Sequence, residues 1–410
     1  MNQRTRSLIA GAGAGLLLLG MLQPAAAQSK YEAPPKARFG DILPKVQQST
    51  NSYRVMDEVN ADNLLYGFSM WTPAAWYRPK SEPALRVRIG EAIALAQLNQ
   101  MKNDPLFLEG LTGAVQTTVE SAGYAVFHPF KTLEKIPKGI ERTGDAWQAR
   151  ATEGRQEGES GGFFNYPAKR KLAFQLGVDP YTDNQQLQEA LNTVSGNRNA
   201  GALTANIAAS FVGGPIGLGI TAAKVNRNLS ARLRDNSAPQ LKEQSRQTLA
   251  SLGCNSGAAA NFLDQSNYTV TYSSAIVDGM GQLSSVRGIS NYVTVPQDAS
   301  DLATELYYHL QMQMAVGYHR AQNQLAKLDV VGSMPVWTDA SGQRNVFAPV
   351  DILYWNEMVD TRIKKLNASG TSKGVHLWIT GRATDRAKDE LSKSGVILHQ
   401  RSGDQLLVGD

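Results

Sequence analysis

Three groups of residues in this chain have types and spacings that could do chemistry. Glu305 and His309 stand four apart, and His319 follows ten residues later. On a helix, a spacing of four puts two side chains on one face, where a carboxylate and an imidazole can share a metal ion. Ten residues bring His319 back towards that face, but about 15 Å further along the axis. One ion cannot reach all three, so Glu305 and His309 would need a ligand from another segment. His128, His376 and His399 have no ligand-like neighbours in the sequence. The pattern predicts polar residues beside a buried stripe and no metal centre.

The second group, Gly158-Glu159-Ser160-Gly161-Gly162, resembles the nucleophile loop of trypsin-like proteases, with His128 and Asp145 before it in the matching order. Such a serine needs a β-barrel to build its oxyanion hole and present its histidine. Here the motif lies in a polar stretch with little strand-like sequence around it, so it reads as linker. The third group, Asp179-Pro180-Tyr181-Thr182-Asp183, outlines part of a calcium loop. It lacks the turn glycine, and Glu189 falls one position short of the closing ligand, so a helix-capping turn is the simpler reading. There is no phosphate loop and no dinucleotide fingerprint, so no cofactor is expected. Catalytic residues stay unassigned. If the chain is a hydrolase, Asp351, Glu357 and the histidines are the first places to look.

The elements that would position these groups follow from periodicity. Gln28 to Asn51 is polar and extended. Tyr53 to Trp76 reads as short strands or an aromatic cap. Pro83 opens a helix with Leu85, Ile89, Ala92, Ile93 and Ala96 on one face. Pro105 to Ser121 is a second, glycine-interrupted helical stretch, and Gly144 to Gly162 is a linker rich in Gly, Glu, Arg and Ser. Lys169 to Leu176 is a short basic helix ended by Gly177. Thr182 or Asp183 then caps the helix through Leu187 and Leu191.

Asn199 to Ala223 contains no charge and is long enough to cross a bilayer. Gly213-Gly214-Pro215 interrupts it, so a tightly packed core helix, an interfacial segment and a span all remain open. A basic helix follows with Lys224, Arg227, Arg232 and Arg234. Another helix precedes Gly253, and short helices continue to Leu283. After Pro296 and Asp298 a long helix carries Leu302, Leu306, Leu310, Met314, Gly317, Ala321, Leu325 and Leu328 on one stripe. Met334–Thr338 and Asn345–Val350 form a hairpin around Asp339-Ala340-Ser341-Gly342, and a helix runs from Asp351 to Leu366. Val375–Thr380, Thr384–Ser394 and Val396–His399 make a strand, helix and strand, which closes the chain on a parallel pair.

Compartment is read from the first 27 residues. Arg4 and Arg6 precede an uncharged Gly/Ala/Leu run, then Pro24 and Ala25-Ala26-Ala27. That is the order of a secretory signal cleaved after Ala27. Cleavage lowers the formal charge from +5 to +3, too little for a nucleic-acid footprint. Cys254 is the sole cysteine, so no intramolecular disulfide forms. It is either a buried inert thiol or an exposed one able to link two chains.

Tyr166-Pro-Ala-Lys169-Arg170-Lys-Leu-Ala173 with Leu176-Gly177-Val178-Asp179-Pro180-Tyr181-Thr182-Asp183-Asn184 resembles a segment of uncharacterised exported proteins of Gram-negative bacteria. Phe262-Leu263 through Asn267-Tyr268-Thr269 is similar to a later segment of that group, with Val270 where a proline is expected. The resemblance implies an exported compartment and a single architecture. It implies no activity.

Together these readings predict an α+β chain, mainly helical in its N-terminal and middle regions, with a small C-terminal α/β portion ending in a βαβ unit. The expected parts are a signal peptide at 1–27, an N-terminal region at 28–143, a linker at 144–162, a helical domain at 163–295 and an α/β domain at 296–410. The expected role is a non-enzymatic envelope protein, periplasmic or secreted, that binds or scaffolds a protein or envelope component. Peripheral membrane contact would come through 199–234. A periplasmic hydrolase with an unrecognised site is the alternative.

Overall fold

The computed structural model describes residues 29–102, 166–196, 227–265, 268–296, 299–369 and 374–407. The expected signal, the Pro105–Ser121 stretch, the Gly144–Gly162 linker with Ser160, His128 and Asp145, and the Asn199–Ala223 run lie outside those residues. The chain is α+β.

The aromatic N-terminal stretch forms short strands: Lys36–Arg38 (β1), Arg54–Val55 (β2), Glu58–Asp62 (β3), Leu65–Gly67 (β4), Met70–Trp71 (β5) and Trp76–Tyr77 (β6). They make two antiparallel sheets, ordered β1-β3-β4 and β2-β5-β6. In β3, Val59 and Ala61 are buried while Glu58, Asn60 and Asp62 are exposed, the period of two that a half-covered sheet imposes. Helix α1, Glu82–Met101, follows. Ser81 accepts the Ala84 N–H, and proline occupies the first turn, where its missing N–H costs nothing. Leu85, Ile89 and Ala92 then pack on Phe39, Tyr53, Val59, Phe68 and Met70.

Helices fill the middle: α2 Tyr166–Gln175, α3 Gln185–Ser195, α4 Arg227–Asp235, α5 Ala238–Ser251, α6 Ser256–Leu263 and α7 Val270–Gln282. Gly177 adopts φ 69° just after α2, as a helix-ending glycine does. The cap of α3 differs from expectation. Asn184 accepts the Leu187 N–H, because Thr182 and Asp183 are turned towards α1.

Helix α8 spans Leu302–Ala321 and is capped by Asp301. It stops seven residues short of the predicted stripe. Leu325 and Leu328 lie on a strand instead, yet both are buried in the same core as Leu302 and Leu306. A spacing of three or four marks burial on the core side but does not say whether the backbone is still helical there.

The C-terminal part comprises Leu325–Val331 (β7), Met334–Asp339 (β8), Arg344–Ala348 (β9), Ile352–Leu353 (β10), α9 Glu357–Ala368, Val375–Ile379 (β11), Arg382–Ala383 (β12), α10 Asp385–Lys393 and Val396–His399 (β13). The hairpin is present, as are the parallel pair and its helix. They belong to one five-stranded sheet, β13-β11-β9-β8-β7, in which β9, β11 and β13 run parallel. The helix expected from Asp351 starts only at Glu357. Ile352, Leu353, Tyr354 and Trp355 are all buried, a continuous apolar run that suits a strand, and β10 pairs parallel with β12. The largest core joins Phe262, Tyr272 and Ile276 of the helices to Trp337, Phe347 and Trp378 of the sheet, with α8 between. Among the described residues no helix is long and apolar enough to cross a membrane.

Candidate functional site

Among the described residues, a group of ionisable side chains lies where α1, the 177–184 turn, α7 and α8 meet. Arg88 on α1 reaches Glu91 Oε2 through Nη1 and Asp183 Oδ2 through Nη2, each at 2.7 Å. Glu91 also accepts the Thr182 hydroxyl and, at 3.0 Å, the Asn184 amide. The 179–183 turn thus folds onto a guanidinium. Burial works to raise the Asp183 carboxyl, but Arg88 outweighs it and holds the group below the usual carboxylate range.

Asp179 faces the other way. Its Oδ1 accepts the Tyr181 N–H at 2.9 Å and the Thr271 hydroxyl at 2.6 Å. Burial pushes its pKa up to about 6, and the charges of Glu91 and Asp183 add to that. Glu305 is 3% exposed. Its Oε2 accepts both the N–H and the hydroxyl of Thr269, at 3.0 and 3.1 Å. Burial first, then the charges of Asp183 and Asp179, hold it well above the ordinary range. Tyr272 lies amid these carboxylates. Burial raises its phenol far above normal, and Asp179, Glu305, Glu91 and Asp183 all push the same way. The fully buried His309 ring packs 5.8 Å from it.

Glu305 and His309 therefore do share a helix face, as their spacing predicts, but each is turned to a protein partner. His319 lies elsewhere and accepts the Leu325 N–H at 2.9 Å through Nδ1, where the chain leaves α8 for β7. Among the described residues no three His, Cys, Asp or Glu side chains converge as metal ligands would. Chemically, the group can hold protons on Asp179 and Glu305 and a charge pair on Arg88. Glu91, Glu305 and His309 have almost no exposed surface for a substrate.

No family model, curated protein or solved structure matches this chain.

The two carboxylates singled out, with the histidines, for a hydrolase play different roles. Asp351 Oδ2 accepts the backbone N–H groups of Tyr66 and Glu82. Burial pushes its pKa up to about 7, with the Glu82 charge adding to it. Glu357 is exposed in the first turn of α9, where a carboxylate suits the positive helix end. Cys254 is half-buried, its thiol against the Ser290 carbonyl at 3.7 Å, and burial raises its pKa.

Sequence reasoning missed a pair of histidines. His376 Nδ1 and His399 Nε2 are 2.9 Å apart, and the His399 ring lies flat on the Trp378 indole, centroids 3.7 Å apart. Trp378 Nε1 in turn donates to Asn345. The two histidines are diagonal neighbours on paired strands. The signal existed in the predicted strand–helix–strand, but it needed the register as well as the elements.

Proposed function

We propose that this chain is an exported envelope protein acting as a non-catalytic binding or scaffolding module. One observation carries the reading. The most perturbed carboxyl groups are spent on joining distant segments. Asp351 ties the C-terminal part to α1, Glu305 ties α8 to the start of α7, Asp179 ties the 177–184 turn to α7, and Asp183 ties that turn to Arg88 of α1. Active sites leave such groups facing a substrate. Here they face backbone N–H groups, hydroxyls and a guanidinium. The signal-like first 27 residues support export, and the modest net charge argues against nucleic acid as a partner.

One observation favours the hydrolase reading. Asp179 is partly exposed, and a carboxyl with a pKa of about 6 is poised for general acid catalysis. One experiment separates the two. The full chain is expressed in a Gram-negative host lacking its own copy, then fractionated and sequenced from its N-terminus. The binding reading expects periplasmic protein starting at Gln28, and full complementation by folded Asp179→Asn and Glu305→Gln variants, whose amides still accept the same hydrogen bonds. Cytosolic protein starting at Met1 overturns export. A folded Asp179→Asn variant that fails to complement points to the hydrolase.

A further inference from the structure

The small sheet β2-β5-β6 has one face in the core and one face in solvent. Its register aligns Val55, Met70 and Tyr77 in one rung and Arg54, Trp71 and Trp76 in the next. Successive rungs point to opposite faces of a sheet. Val55 and Met70 are buried against α1, so the Arg54–Trp71–Trp76 rung faces outward. Arg54 is exposed, Trp71 half-buried, and Trp76 is 61% exposed. The turn between β5 and β6 adds exposed Pro73 and Ala74, and Arg78 follows as an exposed cation, while Lys80 pairs with Asp301 at 3.7 Å. From Met70 to Lys80 there is no acidic residue.

This face is held rigid from beneath. The Tyr77 hydroxyl donates to Gln186 Oε1 at 3.2 Å, and its ring lies under the Arg88 guanidinium. Gln186 Nε2 donates to the Ala74 carbonyl at 3.3 Å, and the Thr72 hydroxyl donates to the Ala75 carbonyl across the turn. The turn between the two indoles is thus tied down, and little loop ordering is left to pay on contact.

We propose that this outward face docks the chain onto an anionic phospholipid surface. Indoles prefer the headgroup level of a bilayer, where the ring is half wet and half apolar. Arg54 and Arg78 flank them, and the strands that carry the indoles bring no carboxylate, which complements lipid phosphates. A glycan would also stack on the indoles, but it needs acceptors for its hydroxyl protons, and this rung presents a guanidinium. None of its residues belongs to the 199–234 segment.

The test uses the full mature chain with vesicles of phosphatidylcholine alone or with added phosphatidylglycerol, followed by sedimentation. Binding is expected on the anionic vesicles, weakening with salt as the ~8 Å screening length at physiological strength shortens. Trp76→Ala, and separately Arg54→Ser with Arg78→Ser, should each lower bound protein several-fold. These side chains are exposed, and circular dichroism confirms that the variants fold. Arg232→Ser with Arg234→Ser should leave binding unchanged. Failure to sediment with anionic vesicles, or equal binding to neutral ones, overturns the proposal. So does vesicle binding that survives Trp76→Ala, or retention on purified peptidoglycan, but not on vesicles, that Trp76→Ala abolishes.

Discussion

Asp351 sits at the start of the helix that begins at Glu82, its carboxylate 3.1 Å from the Glu82 backbone nitrogen although 269 residues separate them. The same oxygen accepts the Tyr66 N–H at 2.9 Å. The backbone of Asp351 is itself gripped. Its N–H donates to the Leu64 carbonyl, and a Cβ on Gly381 would come within 1.9 Å of its own carbonyl oxygen. The C-terminal part thus adds a second acceptor, beside the local Ser81 cap, at the start of a helix of the N-terminal part.

Removing that carboxylate should cost stability. Asp351→Ala leaves two N–H groups without their acceptor, and an unsatisfied buried donor costs about 1–3 kcal/mol. We expect Asp351→Ala to lose about that much in urea denaturation and Asp351→Asn to lose clearly less, because the amide oxygen still accepts. Equal losses would show that charge, not hydrogen bonding, is what Asp351 contributes.

The raised carboxyls give stability a definite pH dependence. Asp179 near 6, Asp351 near 7 and the raised Glu305 all hold protons more tightly folded than unfolded. Their contribution is complete below the unfolded value of about 4 and is lost as pH rises through the folded values. Asp183 and Asp339, both lowered, lose their contribution only below the unfolded carboxylate range, outside this window. The lowered His319, His376 and His399 oppose the trend, since their contribution fades as pH falls below about 6.5. The decisive comparison is therefore between proteins sharing those histidines. Asp179→Asn with Asp351→Asn should lose less stability than wild type between pH 5 and 8. An identical loss in both would refute the assignment.

Gly317 marks the tightest approach of α8 to the end of the chain. A Cβ there would lie 2.0 Å from the Leu406 carbonyl oxygen, a backbone atom that cannot swing aside. Gly317→Ala should therefore cost about 1–3 kcal/mol, the range for overpacking. Gly40, also helical, has open space where its Cβ would go, so Gly40→Ala should be neutral or gain up to about 1 kcal/mol. Similar thermal midpoints for the two variants would mean that the Leu406 turn yields easily.

Periodicity made the C-terminal parallel pair, the hairpin and most helices legible, because each is written in a few consecutive residues. It overran α8 into Leu325 and Leu328, which stay buried after the backbone changes. It placed a helix on Ile352–Trp355, where an apolar run extends instead. The Arg88–Asp183 and Asp351–Glu82 ties were invisible, since nothing local marks which distant partner a carboxylate will meet. The Arg54–Trp71–Trp76 rung needed a register that two-residue strands do not announce.

The His376–His399 pair is the last relationship that can be checked directly. The ring planes differ by 17° and the centroids are 5.1 Å apart, while the facing nitrogens are at 2.9 Å. The two near-parallel rings are thus joined through one N–H···N bond. A single proton fits between them, so one ring donates and the other accepts. Protonating both would set N–H against N–H. Burial lowers both pKa values. The charge of His376 lowers His399 further, while Asp339 works to raise His376. His376→Ala removes both a neighbouring ring that helps bury His399 and the competing charge, and each change raises the His399 pKa. We expect His399 to titrate higher in that variant, towards the ordinary value of about 6.5, followed through its Cε1 proton by NMR. If His399 keeps its wild-type pKa, or moves lower, the His376 ring and its charge are not what hold it down.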